Sequence, residues 1–427
     1  MSEYRGYNGK VLDFLKQNNL KVGDTIKITT DSEQTATIMP RYEHSDDTHL
    51  VVKFKSGYNV GLGLDKIKKI EYVSSTEPSQ ESNQSIQHNP ILPKILLLST
   101  GGTIASRIDY RTGSVTPALS AQELNASVPE LAEIANIDAE VLFSEYSENI
   151  TPEHWIKIAQ RLDSLAKSDY AGILVAHGTD TMQYTAAFLS FALSGFPKPI
   201  VLVGSQRSSD RPSSDAALNL IGATKFIIKC KTSGVFVTMH NSENDEDIAC
   251  HLGTRVRKNH TSKRNAFETV GAKPAFVISG ENIEQNFSGK YYSQKEYTPK
   301  IKLDSKVALV KYHPGYDPKQ VEHILELGYK AIIFEGTGLG HVGKSMYDVI
   351  KKAKGQNVFL GMTSQCVDGQ VNMAIYESGR DLMHFGITPL SNMISEIALV
   401  KAMWAMGNDH TNIKQTMLKN IASEFTE

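Results

Sequence analysis

The sequence predicts an α/β protein: a mainly parallel sheet with helices on both faces, preceded by a small β-barrel of SH3-like type. Three observations predict it. From Lys94 onward, apolar runs that read as buried strands alternate with helical stretches, the pattern of parallel strands joined by crossover helices. Two of these runs end in glycine turns: Thr100-Gly101-Gly102-Thr103 follows residues 95–98, and His177-Gly178-Thr179-Asp180 follows residues 172–176. The carboxyl ends of strands are where open α/β sheets bind their ligands. Ahead of Lys94, short strand candidates follow one another closely, separated by Gly, Asp and Ser, as in a small barrel.

The elements follow in order. A short helix is expected around residues 10–18, then strands at 22–29, 35–39, 50–54 and 67–73. Residues 74–89 are rich in Ser, Gln, Glu and Asn without apolar periodicity and read as a flexible linker. Residues 121–135 look helical. Thr151 is a good N-cap and Pro152 suits the first helical position, so a helix opens there, with Glu153 facing its positive end. Residues 181–193 are apolar at helical spacing, and 199–205 and 234–238 are buried strands. Further strands are expected at 307–310, 331–334 and 358–360, and a last helix at 391–406. Residues 258–302 carry no clear period. The expected division is a small β domain at 1–73, a linker at 74–93, a large α/β domain bearing the active site at 94–303, and a smaller α/β domain at 304–427.

Composition narrows the function. A chain of 427 residues with 40% hydrophobic and 22% charged residues is globular and long enough for two or three domains. A formal net charge of -2 gives no overall attraction to nucleic acid or an anionic membrane. The three cysteines, Cys230, Cys250 and Cys366, are scattered and lack C-x-x-C spacing. That argues against a disulfide framework or zinc cluster and fits the cytoplasm. The N-terminus leads into no apolar signal core, and no apolar run approaches the roughly 20 residues of a membrane span. No metal site is expected, because His240, His251 and His260 lack ligand spacing and the acidic run 243–247 reads as a solvated loop. The basic residues Arg255, Arg257, Lys258, Lys263 and Arg264 read as local charge rather than an RNA groove.

Two turns that each offer a threonine, one with a carboxylate beside it, suggest one composite active site. Glycines let the backbone turn at a strand end without a side-chain clash. A threonine hydroxyl is a poor nucleophile until a base removes its proton. A lysine held beside Asp180 and Thr179 would be such a base, and the stretch Arg255–His260 is basic; taken alone, Lys258 reads as a solvated charge. No G-x-S-x-G elbow, P-loop lysine or G-x-G-x-x-G spacing is present. Read alone, His177 is a strand-end residue satisfied by backbone rather than a catalyst.

Thr100–Ser106 together with His177–Met182 resemble the paired signature of the L-asparaginase/glutaminase family, over roughly residues 94–407. The resemblance implies an asparaginase-like two-domain core. It places the nucleophile at Thr103 and a triad at Thr179, Asp180 and Lys258, the last within Val256-Arg257-Lys258-Asn259-His260-Thr261. It further implies that Tyr110 organises the nucleophile and that Ser147 and Glu148 bind the α-amino acid part of the substrate. Gly102 and Gly178 belong to the same substrate-binding turns, with backbone N–H groups near Gly102 and Thr179 for the oxyanion. Either threonine is open as the first to attack.

The order of β unit, polar linker and amidohydrolase core is similar to that of archaeal glutamyl-tRNA(Gln) amidotransferase D subunits. So are Ser106–Gly113, Tyr146–Thr151 and Gly336–Gly343, the last without the Asn that many asparaginases carry near Leu339. This resemblance implies hydrolysis of glutamine, or asparagine, to supply ammonia to a partner. That E subunit would use ATP and magnesium to convert Glu-tRNA(Gln), in a heterotetramer of two D and two E subunits around a homodimer core. The D chain itself would hold no cofactor, and the tRNA would bind mainly through the partner. A free cytoplasmic L-asparaginase and a non-catalytic tRNA- or protein-binding module are the rival readings.

Overall fold

The structure, a computed structural model, describes residues 4, 6–41, 46–54, 59–75, 89–102, 104, 106–108, 115–117, 124, 128–207, 214–230, 232–286 and 296–426. Thr103, Tyr110 and most of the expected linker lie outside them. The helix Gly9–Gln17 is followed by five antiparallel strands in the order Asn59–Gly63, His49–Phe54, Glu33–Ile38, Asp24–Thr29, Lys69–Ser75. Alternation along Asp24–Thr29 buries Ile26 and Ile28, which join Val11 and Leu15 of the helix in one core. Two departures from expectation are a further strand and a shifted boundary. Asn59–Gly63 carries glycines at 61 and 63, whose low β propensity hid it. Lys69–Ser75 runs two residues into the expected linker. At the linker's far end, the Asn136 amide donates to the carbonyls of Asn89 (2.7 Å) and Leu92 (2.9 Å) and accepts the Asn89 N–H at 2.9 Å. Asn89 is therefore a docked residue.

The chain divides into two compact units, residues 1–147, 173–179 and 203–228, and residues 148–172, 180–202 and 229–427. In the first, Lys94–Gly101 is buried from Ile95 onward and pairs in parallel with Asn136–Glu145, with Gly172–Ala176 on its other side. Of the helix expected over 121–135, Leu124 and Leu131–Ile134 are helical among the described residues.

In the second unit, Asn282–Gln285, Phe276–Ser279, Asp247–Leu252 and Gly234–His240 are neighbours in that order, and every pairing is antiparallel. In this unit these strands are antiparallel, where a mainly parallel sheet was expected. Phe267–Thr269, Phe276–Ser279 and Asn282–Gln285 lie in the stretch that showed no period; the first pairs with Val256–Lys258 in a ribbon, and runs of three or four residues are too short to display one. A separate parallel sheet orders Val307–Lys311, Ala331–Gly336, Phe359–Ser364 and Thr388–Pro389. Helices Lys319–Glu326, Tyr347–Gly355 and Glu377–His384 supply Val321, Val349, Ile350 and Leu382 to its core. The last long helix is Ser395–Asn408, starting later than expected because Ser391 stands at φ +53° and Ile394 is extended. Among the described residues, no helix is long and apolar enough to cross a membrane.

Candidate active site

The first unit brings the two glycine turns together. Gly101 and Gly102 end the buried strand at φ +110° and +82°, conformations that residues with a Cβ rarely adopt. The Thr100 hydroxyl donates to the Ala176 carbonyl at 2.8 Å, tying one strand end to the other. A Cβ on Gly102 would lie 2.5 Å from the Gly178 nitrogen and 2.7 Å from the His177 carbonyl carbon. A Cβ on Gly178 would lie 2.7 Å from Cβ of Ser147. Gly102, Gly178 and Ser147 are thus stacked at contact distance, and glycine is the only residue that fits the first two places.

His177, which directly precedes Gly178, has a structural part. It is fully buried, its Nδ1–H donates to the Gly178 carbonyl at 2.7 Å, and its backbone N–H donates to Val203 at 3.1 Å. Burial pushes the imidazole down to about 4, against the opposing pull of the Gly178 carbonyl. It is a neutral imidazole at physiological pH.

Thr179 is half-buried and lies with exposed Asp180 in the turn that enters the helix Met182–Ala192. Within the second unit, Lys258 Nζ lies 2.6 Å from Asp180 Oδ1, and the lysine side chain is only 10% exposed. The Lys258 backbone N–H donates to Gln183 Oε1 at 2.7 Å. Asp180 and Gln183 are three residues apart, so one helix entrance grips the lysine by its ammonium and by its backbone. Sequence reasoning missed Gln183; the signal was a polar residue buried in an otherwise apolar helical run. Glu148 is exposed, in the short turn Ser147–Asn149.

The surrounding charges are neutralised locally. Arg257 pairs with Glu396 (3.2 Å), Lys263 with Glu243 (2.7 Å) and Arg264 with Asp245. Among the described residues, no group of three or more His, Cys, Asp or Glu is placed to hold a metal ion. His251 is buried, bonded through Nδ1 to the Thr269 hydroxyl at 2.8 Å, and burial pushes it down to about 4.

Comparison with known proteins agrees with this architecture. Three family models match: the asparaginase N-terminal domain over residues 94–290, the glutaminase/asparaginase C-terminal domain over 306–417, and the GatD N-terminal domain over 20–73. The chain is 43% identical to the D subunit of the glutamyl-tRNA(Gln) amidotransferase of Pyrococcus abyssi, with 98% of each chain covered. It is 42% identical to that of Methanopyrus kandleri, covering 100% of this chain and 95% of the relative. Among solved structures, the thermostable L-asparaginase of Thermococcus kodakarensis aligns at a TM-score of 0.70 and 31% identity, over 78% of this chain and 99% of its own. L-asparaginase I of Vibrio cholerae aligns at 0.69 and 25% identity, over 79% and 100%. An asparaginase thus accounts for about four fifths of this chain, and the GatD N-terminal model falls outside the two asparaginase models. The chain belongs to the family of glutamyl-tRNA(Gln) amidotransferase D subunits, whose core is of the asparaginase type.

Proposed function

We propose that this chain hydrolyses the side-chain amide of glutamine, or of asparagine, and delivers the ammonia to a partner E subunit. That partner uses ATP, with magnesium, to amidate the glutamate of Glu-tRNA(Gln). Thr103 attacks the amide carbon as its proton passes by way of Thr179 to the neutral amine of Lys258, which Asp180 orients. The developing oxyanion is held by backbone N–H groups near Gly102 and Thr179. Ammonia leaves with the proton returned from the lysine, and water then hydrolyses the acyl-threonine. Tyr110 orders the nucleophile loop; Ser147 and Glu148 receive the α-amino acid part of the substrate.

The observation that carries this reading is the Asp180–Lys258 pair at 2.6 Å, directly after Thr179 in the chain. A lysine paired to a carboxylate, its backbone pinned by Gln183, is a directed proton carrier rather than a solvated charge. The assembly is two such chains around a homodimer core with two E subunits, in the cytoplasm, with tRNA held mainly by the partner. Domains at 1–73, 94–303 and 304–427, joined by a linker at 74–93, serve this division of labour.

The test is ammonia release from glutamine and from asparagine, by the chain alone and with the E subunit, ATP and Glu-tRNA(Gln). The expected result is release that rises strongly in the full mixture and vanishes in Thr103→Ala and Thr179→Val. Fast release from asparagine by the chain alone, unchanged by the additions, would instead mark a free asparaginase.

A further inference from the structure

Lys258 stands on a ribbon that cannot hold itself. Val256–Lys258 pairs with Phe267–Thr269 over three residues a side, and an isolated two-stranded ribbon is marginal in water. Gln183 fixes the Lys258 end. The other end begins at Arg255, whose carbonyl accepts the Val270 N–H at 2.9 Å.

Arg255 is 1% exposed. Its guanidinium goes to backbone carbonyls of three separate segments: Nε and Nη2 to Val270, the former at 3.0 Å, and Nη1 to Asn392 at 2.9 Å and Glu424 at 3.0 Å. The segment 420–426 that supplies the last of these is itself clamped. The Glu424 carboxylate is fully buried, pairs with fully buried Lys401 at 2.5 Å, and accepts the N–H groups of Ile421 (3.0 Å) and Ala422 (2.7 Å). Lys401 also donates to the carbonyls of Met417 (2.9 Å) and Lys419 (2.6 Å). The Thr254 hydroxyl, next to Arg255, donates to the Ala422 carbonyl at 2.7 Å. Ser423 is held at φ +61°, a left-handed conformation that persists only where its surroundings impose it. Burying an arginine, a lysine and a glutamate together is a poor route to stability, since apolar residues of similar volume serve as well or better. What such an arrangement does supply is a fixed position.

We propose that Arg255 is a positioning residue for Lys258, and that the buried segment 420–426 is the anchor through which it works. The inference rests on Lys258 acting in the active site as proposed above. From Arg255 to Lys258 is three residues of extended chain, about 10 Å, so a shift at the anchor reaches the ammonium with little slack.

Two variants of the full chain test it, each assembled with the E subunit. Arg255→Lys keeps the cation but lacks the fork that reaches three segments. Thr254→Val removes one hydroxyl bonded to the anchor and keeps the side chain's shape, so it decides the question should Arg255→Lys fail to fold. Amide hydrogen exchange is measured well below the melting temperature, with glutamine turnover alongside. In the variants, the amides of 421–424, 256–258 and 267–269 should open together, about tenfold or more faster than in the parent. The kcat should fall about tenfold or more with KM within about twofold, as expected for a misplaced catalytic group. An anchor that loosens while the ribbon amides and kcat stay as in the parent would overturn the proposal. If the parent assembly hydrolyses no amide, the reading of the active site fails, and the exchange data alone then decide the anchoring.

Discussion

Replacing Lys258 by methionine separates a chemical from a structural part for this residue. Methionine keeps most of the apolar stem and removes the ammonium. The partner carboxylate, Asp180, is 67% exposed, so it is rehydrated when its cation is lost. An ion pair with one exposed member contributes about 0–1 kcal/mol to stability. For a chain with units of this size, that is a melting shift of roughly 2–4 °C at most. A general base positioned for proton transfer is worth about 100- to 10,000-fold in rate, or roughly 3–5 kcal/mol of barrier. Lys258→Met should therefore lower kcat for glutamine hydrolysis by at least about 100-fold while unfolding almost with the parent. Single-turnover ammonia release and calorimetry on the same preparation read the two quantities. A loss of rate under about tenfold with unchanged melting would sink the assignment of Lys258 as proton carrier. A large melting shift accompanying the lost rate would make the lysine a structural residue.

Two further outcomes follow from the same geometry. Gly102→Ala should destabilise the protein by about 2–5 kcal/mol, from left-handed strain of about 1–2 kcal/mol plus overpacking of about 1–3 kcal/mol against Gly178. Gly328→Ala, at φ +74° with nothing within 4 Å of the new Cβ, should show only the strain; equal losses in chemical denaturation would refute the clash at the paired turns. His177 and His251 are both pushed down to about 4, so between about pH 6.5 and 4 the unfolded chain binds more protons than the folded one. Their contribution is complete above about pH 6.5 and lost as pH falls through 4, so thermal unfolding should shift down across that window. Histidine NMR at about pH 5.5, well inside that window, should find His177 still neutral in the folded chain, and a protonated His177 there would contradict its burial.

The parts of this protein legible in its sequence are those governed by local rules. Apolar runs ending in Gly101-Gly102 and His177-Gly178 announce buried strands with sharp turns, because only glycine adopts φ +82° against a neighbouring backbone. Thr151 and Pro152 announce the helix Pro152–Ser164, because orphan N–H groups need a cap. The antiparallel strands from Asp247–Leu252 to Asn282–Gln285 left no comparable mark, since four to six residues show too little of a period and partners distant in sequence decide their pairing.

The candidate site divides in the same way. The two threonine turns and Asp180 stand at strand ends, and their motifs mark them. Lys258 is 78 residues from Asp180, and only the fold puts its ammonium 2.6 Å from that carboxylate. Gln183, Arg255, Lys401 and Glu424 read in sequence as ordinary polar and charged residues. Tertiary structure makes them buried anchors, because removing a polar group from water is tolerable only where the fold supplies its partners. The sequence by itself determined the chemistry on offer at two strand ends and, through the resemblance, pointed to Lys258; the tertiary structure decided that this lysine lies against Asp180 and what holds it there, because contacts between residues distant in the chain are made only by folding.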